Sequence, residues 1–169
     1  TALIALAYGL YLIKRTMKED EGSDKLKAIG KAVSDGAMSY LKRQFKIVIP
    51  FMLVLTVLIA FTLGTGVATT FLLGAIFSAI IGYFGMWIAV RANLRTANAA
   101  LQGLNPALRV AFGAGTVNGM LLVGLGLLGV SIIYMWSYFS FIAQGSDVVA
   151  KNATEVLVGY GFGAALLAL

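Results

Sequence analysis

The acids of this 169-residue chain bound the chemistry it can do, because there are only seven of them. Glu19, Asp20, Glu21, Asp24 and Asp35 lie in one stretch with nine of the thirteen Lys and Arg residues, while Asp147 and Glu155 stand far along the chain. A divalent-cation cluster needs several converging oxygen ligands, usually carboxylates, and this distribution supplies none. With no His and no Cys, zinc sites, thiol nucleophiles, disulfides and imidazole relays are excluded. No catalytic or metal-binding residue is therefore expected in this stretch. Glu155 is the one acid set against an apolar run. An ionisable group at bilayer depth costs about 2.5–3.5 kcal/mol and usually faces protein or water. Two readings stay open for it, an ion-pathway residue or an interfacial one. Asn118, inside another apolar run, is expected to make an interhelical hydrogen bond.

Two short motifs carry less than they promise. Gly124, Gly126 and Gly129 have the G-x-G-x-x-G spacing of a dinucleotide site, but that device works at a strand-to-helix turn and here sits inside an uninterrupted apolar run. Asn152-Ala153-Thr154 matches a glycosylation sequon, a pattern short enough to recur by chance. The small residues are more informative. Gly74, Ser78 and Gly82 are four apart, as are Gly115 and Gly119, and Gly159 and Gly163. Each set predicts a helix face on which a neighbouring backbone packs closely.

The elements that must position these residues follow from composition. Hydrophobic residues make up 60% of the chain, charged residues 12%, and mean hydropathy is +0.91. A soluble globular domain carries about 25% charged residues, so an all-α polytopic transmembrane bundle is expected. A closed β-barrel would need alternating polar residues that these runs lack. Charge-free runs place about five spans at 1–13, 47–63, 70–90, 110–139 and 156–169, as parts of one membrane domain. The run from Ile47 to Val90 is too long for one crossing, and Gly64-Thr65-Gly66 supplies its turn. The segments 14–46 and 91–109 are then loops on the same side, holding twelve of the thirteen basic residues. By the positive-inside rule that side is cytoplasmic. The net charge of +6 is thus a topology signal, and no nucleic-acid partner is expected.

Three finer expectations follow. Between Lys25 and Lys46, the positions Leu26, Ile29, Val33, Ala37, Tyr40 and Leu41 predict an amphipathic helix lying on the membrane face or leading into the second span. Tyr134, Trp136 and Tyr138 collect at the expected outer end of the fourth span, as an interfacial belt or as plain lipid-facing rings. The first and last apolar runs are too short to cross unaided, so this stretch is expected to be a piece of a longer polytopic protein, with its end helices truncated.

Several stretches together resemble the membrane-integral pyrophosphatases, which couple pyrophosphate hydrolysis to H+ or Na+ transport. They are Asp35-Gly36-Ala37-Met38-Ser39-Tyr40-Leu41-Lys42-Arg43-Gln44-Phe45, then Phe71 to Met86 with Arg91-Ala92-Asn93-Leu94-Arg95-Thr96-Ala97, then Gly119 to Gly129, and Gly159-Tyr160-Gly161-Phe162-Gly163. Asp35 stands where the family commonly has Glu. The resemblance covers nearly the whole chain and implies its N-terminal portion, with the first four spans as outer-ring support and the fifth in the inner ring. It also implies pyrophosphate as substrate, Mg2+ held by motifs outside this stretch, K+ as an optional activator, and a homodimer. It places the protein in the cell membrane or the membrane of an internal acidic compartment. Glu155 matches an acidic position on the fifth helix near the ion exit. Two rival readings are a segment of a secondary transporter, whose broken helices are also glycine-rich, and a non-catalytic membrane subunit.

Overall fold

A computed structural model describes residues 1–141 and 145–166. Every regular element among them is a helix: α1 (Ala2–Met17), α2 (Asp24–Thr62), α3 (Thr65–Ala100), α4 (Leu104–Phe141) and α5 (Ser146–Ala165). Backbone groups in hydrocarbon must be bonded within their own segment, and the helix is the element that does so locally. Three of the helices, α2, α3 and α4, are long and apolar enough to cross a membrane, and the protein is an integral membrane protein.

The helices run past the limits that charge suggested. The expected loop 91–109 is helical except at residues 101–103, and the expected loop 14–46 is open only at residues 18–23. Charge marks where hydrocarbon ends, whereas a helix stops where its hydrogen-bond ladder is interrupted. Glycines make the interruptions: Gly64 (φ +98°) joins α2 to α3 and Gly103 (φ +129°) joins α3 to α4, both in conformations that a Cβ disfavours. Pro106 falls in the first turn of α4, where its missing N–H removes no intrahelical bond. Pro50 lies inside α2 and does remove one.

The chain divides into two compact units, each drawn from more than one helix. The first takes Thr1–Gln44 and Ile81–Gly124. Its core is Leu12, Ile88 and Val117, with Ile13, Met17, Trp87 and Leu121 packed around them. The second takes Phe45–Ile80 and the chain from Leu125 onward. Its core is Ile133, Val156 and Tyr160, flanked by Leu73, Phe77 and Leu157.

In the first unit, the N-terminal part of α2 leads without a break into the apolar part of the same helix. Leu41 is buried and Leu26 and Ala37 half-buried, but Ile29, Val33 and Tyr40 are exposed. Gly30 lies against α3: a Cβ there would stand 3.0 Å from the Leu94 side chain. In the second unit, the apolar part of α2 leaves Phe51, Val54, Val57, Leu58 and Phe61 exposed. Such a surface suits a hydrocarbon surrounding and not water.

Candidate functional site

In the first unit, polar side chains converge on the connection between α1 and α2. Arg95, in the last third of α3, is only 7% exposed. Its Nη2 donates to Glu21 Oε1 at 2.8 Å and to the Met17 carbonyl at 3.3 Å. Nε donates to the Glu19 carbonyl at 3.1 Å, and Nη1 to the Arg91 carbonyl at 2.9 Å. Arg95 thus neutralises one carboxylate and satisfies carbonyls at the C-terminal end of α1, where a cation also meets the negative end of the helix dipole. One turn on, Asn98 Nδ2 donates to the Asp20 carbonyl at 3.3 Å. Its Oδ1 would stand 2.5 Å from a Cβ on Gly22, which also adopts φ +83°. Asp20 Oδ1 accepts from the Gly22 amide at 3.0 Å and closes the turn. A cavity of about 380 Å3 opens beside this clamp, reached by Glu19, Gln102, Asn105 and Arg109. Arg91 stacks over Trp87 at 4.2 Å.

In the second unit, α5 packs on α3 through glycines. A Cβ on Gly163 would run into the Phe71 carbonyl, and one on Gly74 into the Tyr160 carbonyl; at Gly159 the Val67 carbonyl would be 2.6 Å away. Contact of this closeness between backbones is open only to residues without a side chain. Tyr160 carries the same seam to α4. Its ring lies over Gly129, sits edge-on to Phe77 with centroids 6.3 Å apart, and its hydroxyl donates to the Leu125 and Gly126 carbonyls at 3.3 and 3.4 Å. Ser137 on α4 is fully buried, and its Oγ has no hydrogen-bond partner among the described residues.

Of the residues singled out for packing, the structure brings Gly74, Gly159 and Gly163 into one seam. Ser78 is half-buried on the same helix as Gly74. It does not do the same for Gly82, Gly115 and Gly119, where a Cβ would meet nothing within 4 Å among the described residues. Four-residue spacing places such residues on one face, but a neighbour must occupy that face, and spacing says nothing about the neighbour. Asn118 likewise makes no interhelical hydrogen bond among the described residues; its Oδ1 lies over Gly85. Glu155 is exposed on the third turn of α5, next to the buried Val156. Gly124, Gly126 and Gly129 are all interior to α4, so no strand-to-helix turn exists there. Asn152 bonds back to the Val148 carbonyl within α5, and Ala153 beside it is buried. Tyr134, Trp136 and Tyr138 are exposed. Residue-by-residue reading missed Arg95 and Tyr160 as organising side chains. Arg95 gave one available signal, a cation at the end of a long apolar helix, but three of its four bonds go to residues more than seventy positions away.

A family profile described as inorganic H+ pyrophosphatase matches residues 3–169. The chain is 39% identical over 169 residues to a K+-insensitive pyrophosphate-energized proton pump of Methanosarcina mazei, covering 99% of this chain and 23% of that protein. It is 39% identical over 168 residues to K+-insensitive pyrophosphate-energized proton pump 2 of Moorella thermoacetica, covering 99% and 24%. A K+-insensitive pyrophosphate-energized proton pump of Streptomyces avermitilis is 38% identical over 188 residues, covering 99% and 22%. The chain thus spans about a quarter of the length of the curated relatives it matches.

Proposed function

The chain belongs to the inorganic H+ pyrophosphatase family, and on that premise we propose that it is the N-terminal membrane scaffold of a pump coupling pyrophosphate hydrolysis to H+ export. The observation that carries this reading is the family match along essentially the whole chain, supported by relatives named as proton pumps. It displaces the secondary-transporter alternative. H+ is preferred to Na+ as the exported ion, and K+ is not an activator, because the relatives are named K+-insensitive proton pumps.

The residues present do not fit the Mg2+ that such hydrolysis requires: among the described residues no three acidic or other ligating side chains come together. Pyrophosphate binding and the attack of water therefore belong to parts of the protein outside this chain. What this chain supplies is support. The α3–α5 seam holds α5 with its backbone against α3, and Tyr160 ties it to α4, so α5 forms a fixed wall of the proposed conduction path. Glu155, exposed on α5, is the proposed proton-pathway residue of this stretch. The segments 14–46 and 91–109, which hold twelve of the thirteen basic residues, face the cytoplasm, the membrane is the cell membrane or that of an internal acidic compartment, and the working protein is a homodimer.

The test uses the full-length protein in sealed vesicles. Pyrophosphate with Mg2+ should acidify the lumen without K+ and without dependence on Na+. Hydrolysis that leaves the proton gradient at zero in demonstrably tight vesicles would rule the pump out, and uptake of Na+ in place of H+ would overturn the ion assignment.

A further inference from the structure

We propose that the cleft between the last turn of α1 and the first turns of α4 binds the phosphodiester of an anionic phospholipid. The cleft, of about 70 Å3, is lined by Arg15 and Thr16 on one side and Arg109 and Gly113 on the other, with Leu12 and Val110 beneath and Glu19 at the rim. All of these residues lie in the first unit.

Two unpaired cations point to an anion. Ion pairs among the described residues are Lys27 with Asp24 and Arg95 with Glu21, so neither Arg15 nor Arg109 has a carboxylate partner. Thr16 points the same way. It is only 4% exposed, yet its hydroxyl forms no hydrogen bond among the described residues, and Oγ1 is 3.5 Å from where a Cβ on Gly113 would stand. Thr16 lines the cleft, and a hydroxyl there without a protein partner can donate to a phosphate oxygen. Two guanidinium groups against one carboxylate leave a single net positive charge, which matches a phosphodiester monoanion.

Depth identifies the source of the phosphate. Arg15 closely follows the apolar run ending at Ile13, and Arg109 immediately precedes the run beginning at Val110. The cleft therefore has a cationic rim and a buried apolar floor, Leu12 at 6% and Val110 at 7% exposure, at the level where lipid phosphates lie. Its volume of about 70 Å3 leaves room for a phosphate group. The neighbouring 380 Å3 cavity shares Glu19, Arg109 and Val110 and has room for the rest of a headgroup.

The experiment counts lipids retained by the delipidated full-length protein, by native mass spectrometry, after titration with phosphatidylglycerol, phosphatidylcholine, phosphatidylethanolamine or inorganic phosphate. Wild type should bind phosphatidylglycerol most tightly, and Arg15→Gln with Arg109→Gln should weaken it about tenfold or more. Glu19→Gln should strengthen it, an opposite change that misfolding cannot produce. Equal retention of phosphatidylglycerol and phosphatidylcholine, or of phosphatidylglycerol by wild type and the double variant, would overturn the proposal. Tighter phosphatidylethanolamine binding that disappears in Glu19→Gln would replace the anionic lipid with a zwitterionic one. Competition by inorganic phosphate at the same affinity would assign the cleft to a soluble anion.

Discussion

Arg95 does at one point what several surface ion pairs could not. Its charge is buried, its carboxylate partner Glu21 is 43% exposed, and its other bonds go to backbone carbonyls. Breaking a buried, hydrogen-bonded charge pair by removing one member is expensive because the remaining groups lose their partners. Arg95→Met should therefore destabilise the protein by about 2–4 kcal/mol, read as a lower melting temperature in detergent. Glu21→Gln should cost only about 1 kcal/mol, since three of the four Arg95 bonds survive. A larger loss from Glu21→Gln than from Arg95→Met would show that the ion pair, and not the bonding of the carbonyls, holds the turn. Ser137 presents the reverse case. Its hydroxyl is buried without a partner among the described residues, so Ser137→Ala should be neutral or stabilising by about 1–2 kcal/mol in the same melt. A clear loss of stability would reveal a partner supplied by the rest of the protein.

The element that matters most is the α3–α5 pair. Small-residue spacing suggested seven packing positions, yet among the described residues backbone contact occurs at Gly74, Gly159 and Gly163 and not at Gly82, Gly115 or Gly119. Overpacking a well-packed interior typically costs about 1–3 kcal/mol, and more where the obstacle is backbone that cannot rotate aside. Gly163→Leu should therefore exceed about 3 kcal/mol and abolish recovery of folded protein on size exclusion, whereas Gly82→Leu should leave that profile close to wild type. Identical profiles for the two would mean that the seam yields. Tyr160→Phe keeps the ring over Gly129 and removes only two long hydrogen bonds, so its cost should be about 1 kcal/mol. In the N-terminal part of α2, hydrophobic periodicity predicted a helix on the membrane face or leading into the second span, and α2 does run on unbroken to Thr62; Gly30 lies against Leu94, while Ile29, Val33 and Tyr40 are exposed.

At the scale of the whole molecule, the proposed topology and transport are open to direct measurement. This stretch contains no Cys, so a cysteine introduced into a full-length background without others gives a clean readout. Ser23→Cys should react with an impermeant maleimide only from the cytoplasmic side, and Thr65→Cys only from the opposite side; the reverse pattern would invert the orientation. Glu155→Gln should reduce pyrophosphate-driven acidification several-fold while leaving pyrophosphate binding unchanged, and unaltered pumping would return Glu155 to a merely interfacial role. The sequence alone determined that the chain is helical and membrane-embedded and which family it resembles, because burial in hydrocarbon demands long charge-free runs and internally bonded backbone. That requirement is written in composition, residue by residue. The tertiary structure alone decided which glycines touch a neighbour, that Arg95 closes the turn after α1, and that Arg15 and Arg109 share a cleft. These depend on helix rotation and on pairings across seventy or more positions, which side-chain volumes settle jointly and no local pattern records.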